Sequence, residues 1–228
     1  MAAVFFDLDG TLYDDRIYVE AGLRSAATYI CSVHDVNTFE DMIWEYAVKR
    51  NFKTVFDYII ASYEIPGVDL DDLIEAYHDC DPSINPYPEA EQILTTLPDS
   101  CQTAVISGGK YGEKKLQQLG IADEFDKVYI TPNNDTSKQE PAPFETVLDA
   151  LEVEPQQAVF VGDNPELDFY WPNKLGMTTI WTRRPHTLFN SPDSPELRPD
   201  YVLPDLSLVP EIISTEHDLS EEPSTTLE

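Results

Sequence analysis

Asp7 and Asp9 stand one residue apart at the end of Val4-Phe5-Phe6, an apolar run that reads as a buried β-strand and stops abruptly in two carboxylates and Gly10. At the carboxyl end of a central parallel strand, such a pair faces the crevice where open α/β sheets bind ligands. One carboxylate can then attack an electrophile while the other moves a proton. The plainer alternative is a strand that happens to end in an acidic turn. A second site of chemistry lies at Ser107, where the run Thr103-Ala104-Val105-Ile106 ends in Ser107-Gly108-Gly109 just ahead of a helical stretch. A hydroxyl and backbone N–H groups at a helix N-terminus suit an anion, although Ser107 would also serve as an ordinary capping residue. Lys110 after Gly109 does not make a nucleotide loop, because the G-x-x-x-x-G-K-[ST] pattern is absent.

These residues need a scaffold of strands, and the apolar runs supply one. Runs at 3–7, 102–107, 127–131, 157–162 and 177–182 read as strands, with helical periodicity between them at 110–119, 144–151 and 166–175. That alternation predicts an α/β fold with a doubly wound parallel sheet. Residues 201–203 and 206–213 add a short strand and a closing helix. The stretch from 16 to 84 breaks the alternation: it shows helical periodicity at 18–33, 38–50, 54–63 and 70–77, without strands, and fits a small helical bundle. Residues 14–16 and the Pro-rich 81–88 read as its two linkers. The core is thus expected over 1–15 and 85–213. Residues 214–228 are polar, acidic and aperiodic, and are expected to be a disordered tail.

The string Asp7-Leu8-Asp9-Gly10-Thr11-Leu12 resembles the first motif, D-x-D-x-T, of the haloacid dehalogenase superfamily in its phosphatase form. The other motifs have counterparts in the right order: Ser107 with Gly108 for the second, Lys138 for the third, and Gly162-Asp163 with Asp168 for the fourth. The resemblance covers residues 1 to 213. It implies a Rossmann-like core, with residues 16–84 as an inserted helical cap of the first class. It also implies Asp7 as nucleophile, Asp9 as general acid and base, and Lys138 as the cation that neutralises Asp7 and the transferring phosphoryl group. Thr11, Ser107 and Gly108 are implied as phosphate-binding groups. Asp7, Asp163 and the backbone carbonyl of Asp9 form an all-oxygen set suited to Mg²⁺, with Asp168 in an outer or secondary metal role. An acid at Asp9 favours phosphate chemistry over carbon–halogen cleavage. The chain departs from the family pattern at Gln139, where a proline often follows the lysine, and at Trp171-Pro172, where small residues commonly pack the helix on the sheet.

The chain is 228 residues long and carries 43 Asp and Glu against 14 Lys and Arg, a formal charge of −29. Such a surface repels nucleic acid and anionic membranes. A high-salt cytoplasm explains it better than a cationic partner does, since molar salt shortens the Debye length to about 3 Å. No apolar stretch approaches the roughly 20 residues needed to span a bilayer, and the N-terminus has no basic signal-peptide start. These features predict a cytoplasmic protein, monomeric or homodimeric. Cys31, Cys80 and Cys101 have no metal-like spacing and are expected to be reduced and largely buried. The function expected is Mg²⁺-dependent hydrolysis of a small phosphorylated metabolite. A phosphomutase using the same residues and a non-catalytic scaffold are the alternatives. Lys49, Arg50 and Lys53 could meet an anionic substrate group, but read better as a solvated helix face.

Overall fold

The computed structural model describes residues 2–49, 51–98, 100–185 and 191–217. The chain divides into two compact units, one of Met1–Asp14 with Asn85–Glu228 and one of Asp15–Ile84. The smaller unit consists of α1 (Asp15–His34), α2 (Phe39–Lys49), α3 (Phe52–Tyr63) and α4 (Leu70–His78). Its core combines aliphatic side chains such as Leu23, Ile30 and Ile59 with a group of aromatic ones. Phe56 and Tyr18 are fully enclosed, and Phe52 stacks on Tyr77 with ring centroids 4.6 Å apart. A Cβ at Gly22 would stand 2.5 Å from the Tyr77 ring, so this glycine lets α1 and α4 approach closely. Asn51 caps α3 by accepting from the Thr54 N–H at 3.2 Å, and Asp69 and Asp72 form a reciprocal capping box on α4. Lys49 and Lys53 are exposed, as a solvated face requires, while Arg50 lies outside the described residues.

The larger unit is built on a parallel sheet of β1 (Ala2–Phe6), β2 (Cys101–Ser107), β3 (Lys127–Ile130), β4 (Ala158–Gly162), β5 (Thr178–Thr182) and β6 (Tyr201–Leu203). The spatial order is β3-β2-β1-β4-β5-β6. This is the doubly wound sheet that the alternation of runs predicts. Ala2-Ala3-Val4-Phe5-Phe6 is buried at every position because β1 is paired on both edges and covered on both faces. On one face, Ala3, Phe5, Ala104, Ile106 and Phe160 pack against Phe144, Val147 and Leu148. The last three project from α7 (Ala142–Leu151), whose i, i+3, i+4 spacing turns them to one side.

The other helices are α5 (Pro88–Thr96), α6 (Gly112–Leu119), α8 (Pro165–Asp168), α9 (Tyr170–Leu175) and α10 (Val209–His217). Three details differ from the expected pattern. The helix expected at 166–175 is two short helices, broken at Phe169, because Pro172 has no N–H to donate and its ring crowds the carbonyl four residues back. Helix α10 runs through His217, past the expected tail boundary at 214, and residues 218–228 lie outside the described residues. Cys80 and Cys101 are buried, but Cys31 is exposed on α1.

Candidate active site

The strand order sets the place of the site. From β1 the chain winds outward through β2 and β3 on one side, then returns to build β4, β5 and β6 on the other. The reversal leaves a crevice at the carboxyl ends of β1 and β4. Asp7 follows β1 and Asp163 follows β4, and the Asp7 N–H donates to the Val161 carbonyl at 2.8 Å, which ties the two strand ends together. Two glycines make the approach possible. Gly10 has φ +81, and a Cβ there would stand 2.5 Å from Asp163 Oδ2. At Gly162 a Cβ would collide with the Asp168 carboxylate, its Cγ lying 2.6 Å away.

Asp7 is 7 % exposed and Lys138 6 %. The Lys138 ammonium donates to Asp7 Oδ1 and, at 2.9 Å, to Asp168 Oδ1, while the Thr11 hydroxyl donates to Asp7 Oδ2 at 3.1 Å. Asp168 Oδ2 accepts from the Asn164 N–H at 2.9 Å. Carboxylate oxygens of Asp7, Asp163 and Asp168 lie within 4.8 Å of one another. Among the described residues, Lys138 bridges two of these three carboxylates. Burial pushes the Asp7 carboxyl up to about 7, with Asp168 and Asp9 adding to the rise and Lys138 opposing it. Burial works against the charge on Lys138, but Asp168 and then Asp7 outweigh it, so the ammonium is held well above its ordinary value. The donor set is all oxygen, one carboxylate from each of the three aspartates. Its chemistry fits a hard divalent cation such as Mg²⁺.

Asp9 sits apart from that group. Its Oδ1 accepts from Lys115 Nζ at 2.5 Å and from the Tyr13 hydroxyl at 2.5 Å. Burial disfavours the charged form of Asp9, but the Lys115 charge and the two hydrogen bonds outweigh it and hold the carboxyl below its ordinary value. Ser107 ends β2 fully buried, and its Oγ accepts from the Gly109 N–H at 3.2 Å. An added Cβ at Gly108 would meet nothing within 4 Å, so the backbone there faces open space. The structure thus brings Asp7, Thr11, Lys138, Asp163 and Asp168 into one cluster at the strand ends, with Asp9 and the Ser107-Gly108 turn beside it. Lys115 and Tyr13 were not singled out from the sequence. Lys115 did leave a signal: it occupies the buried stripe of α6 together with Gly112, Leu116 and Leu119, a place where a lysine needs a partner.

Comparison with known proteins identifies the family. The family model for haloacid dehalogenase-like hydrolases matches residues 1–169, and a related hydrolase model matches 136–209. The chain belongs to the haloacid dehalogenase superfamily and is a phosphatase of it. It is 30% identical to a glyceraldehyde 3-phosphate phosphatase of Pyrococcus furiosus, over 78% of this chain and 79% of that protein. It is 32% identical to a phosphoserine phosphatase of Thermus thermophilus, over 53% of this chain and 48% of that one. Among solved structures, a HAD phosphatase from Thermococcus onnurineus superposes with a TM-score of 0.66 at 25% identity, covering 93% of this chain and 98% of the other.

Proposed function

We propose that the protein is a Mg²⁺-dependent phosphomonoesterase acting on small phosphorylated metabolites through an aspartyl-phosphate on Asp7. The observation that carries this is the division of labour between two aspartates. Asp7 lies in a buried cluster with Lys138, Asp163 and Asp168, whereas Asp9, two residues on, is held by separate donors. The substrates named for the two relatives, glyceraldehyde 3-phosphate and phosphoserine, are both three-carbon phosphate monoesters, which supports a substrate of that size.

In the first half-reaction, a carboxylate oxygen of Asp7 attacks phosphorus. An acyl phosphate forms, the P–O bond to the leaving alcohol breaks, and Asp9 gives that oxygen a proton. In the second, Asp9 takes a proton from water, the water oxygen attacks phosphorus, and phosphate leaves with Asp7 restored. Lys138 offsets the charge of Asp7 and the phosphoryl oxygens, as transfer between anions requires. Ser107, Thr11 and the Gly108 backbone offer donors to the phosphate. Asp7, Asp163 and the Asp9 carbonyl would hold Mg²⁺, with Asp168 behind them, and the bound ion would add positive charge beside the transferring phosphoryl group. The excess of acids further supports a working environment of concentrated salt.

A screen of phosphorylated metabolites with Mg²⁺, following inorganic phosphate, tests the proposal. Release from at least one three-carbon monoester, lost in Asp7→Asn, is the expected result. Phosphate transfer to a second hydroxyl without release would indicate a mutase, and a silent wild type would overturn the proposal.

A further inference from the structure

The Asp9 carboxylate is held unevenly, and the asymmetry has chemical content. Both donors that reach it, Lys115 Nζ and the Tyr13 hydroxyl, bond to Oδ1, each at 2.5 Å. Oδ2 borders the turn after β2. A Cβ added at Gly109 would stand 3.2 Å from Asp9 Oδ2, 3.6 Å from the Ser107 hydroxyl and 3.9 Å from Lys115 Nζ. An aspartate needs such help, because its χ2 torsion is broad and nearly two-fold, so an unheld carboxylate presents either oxygen in many orientations. Lys115 is well suited to the task. Its position on the inner stripe of α6 keeps it 8 % exposed, so the ammonium has little water to turn to. The Lys115 Nζ also lies 5.9 Å from the centre of the Tyr13 ring, so the two donors form one assembly.

We propose that Lys115 and Tyr13 are positioning residues: they clamp Asp9 by Oδ1 and so commit Oδ2, which borders the turn of Ser107 and Gly109, to the proton transfer. The inference rests on the proposed phosphatase chemistry and assigns to this chain a helix α6 lysine that acts through Asp9 rather than on the phosphate. When Asp9 is protonated for the first half-reaction, the proton sits on Oδ2, since Oδ1 already accepts two hydrogen bonds. It passes from Oδ2 to the leaving alcohol oxygen as the P–O bond breaks, and Oδ2 later receives the proton of the attacking water.

The test compares p-nitrophenyl phosphate, whose leaving group needs little protonation, with an alkyl phosphate such as glycerol phosphate. Both are measured with Mg²⁺ on the wild type, Lys115→Met and Tyr13→Phe. The ratio of kcat for the aryl over the alkyl ester is expected to rise about 10- to 100-fold in Lys115→Met and by less in Tyr13→Phe, with KM for each ester held. This ratio does not depend on the fraction of molecules that fold, so a partly unfolded variant still reports. A ratio that stays at the wild-type value overturns the proposal. So does a rise in KM with the ratio unchanged, which would make Lys115 a phosphate-binding cation. A wild type inactive on both esters and on the metabolite screen would overturn the phosphatase proposal and this one together, whereas an active wild type with unmoved ratios overturns this one alone.

Discussion

Two aspartates separated by one leucine face different surroundings, and single substitutions should separate their roles. Asp7→Asn keeps the shape of the side chain but cannot act as a carboxylate nucleophile, so turnover and phosphoenzyme formation are expected to vanish while the fold persists. Asp9→Asn should lower turnover of alkyl esters by about 10²- to 10⁴-fold and leave a longer-lived phosphoenzyme with an activated aryl ester. Trapping the phosphoenzyme by acid quench distinguishes the two, and wild-type turnover by Asp7→Asn would sink the mechanism. The raised Asp7 carboxyl carries a pH prediction. Its value climbs from 3.8 to about 7 in the metal-free fold, so between those limits the folded chain holds a proton that the unfolded chain has lost. Metal-free stability from this group therefore falls as pH rises through that window. A cation needs the ionised form, so Mg²⁺ binding displaces this proton and weakens as pH falls below about 7. The gain in melting midpoint on adding Mg²⁺ should accordingly be larger above that pH than below it. Equal gains on both sides would contradict the assignment of Asp7 as a ligand.

At the scale of elements, the strand β4 and the helix α8 meet through Gly162 and Asp168. Gly162→Ala would drive a methyl group into the Asp168 carboxylate, next to the ammonium of Lys138. A cost of about 1–3 kcal/mol is expected from the overpacking, read as a lowered midpoint in denaturant, together with a larger fractional loss of turnover than of stability. Unchanged turnover in the folded variant would show that Asp168 can move without consequence. Strands were the most legible elements in the sequence. Ala3 to Phe6 and Ala158 to Val161 are continuous apolar runs because both faces of a parallel sheet are covered, and their abrupt ends mark where Asp7 and Asp163 leave the sheet. Lys115 was hidden for the opposite reason. A helix such as α6 presents several polar residues in succession, and only the position of Lys115 on the inner stripe tells it from Lys114 beside it. The break at Phe169 was half legible: Pro172 announces an irregular helix, but not that Asp168 would end a separate short one.

Across the whole molecule, negative charge is the governing property. Fourteen cations cannot pair with 43 acids one to one, and two of the fourteen, Lys115 and Lys138, are drawn into the site. The remaining acids repel one another across the surface. Screening shortens the range of that repulsion from about 10 Å at 0.1 M salt to about 3 Å at 1 M. The melting midpoint should therefore climb as KCl is raised from about 0.1 M to above 1 M. A flat or falling midpoint would remove the case for a high-salt environment.

The strand order also has a consequence in time. One of the two central strands, β1, is made before the other strands of the sheet, yet its two neighbours begin at Cys101 and Ala158. At about 5–20 residues per second, a ribosome needs roughly 8 to 30 s to pass from Asp7 to Gly162. Until then Ala2 to Phe6 has at least one bare edge, and for the first part of synthesis it has two. Nascent chains stalled before Ala158 should accordingly cling to one another or to chaperones through this segment, and release should coincide with the emergence of β4.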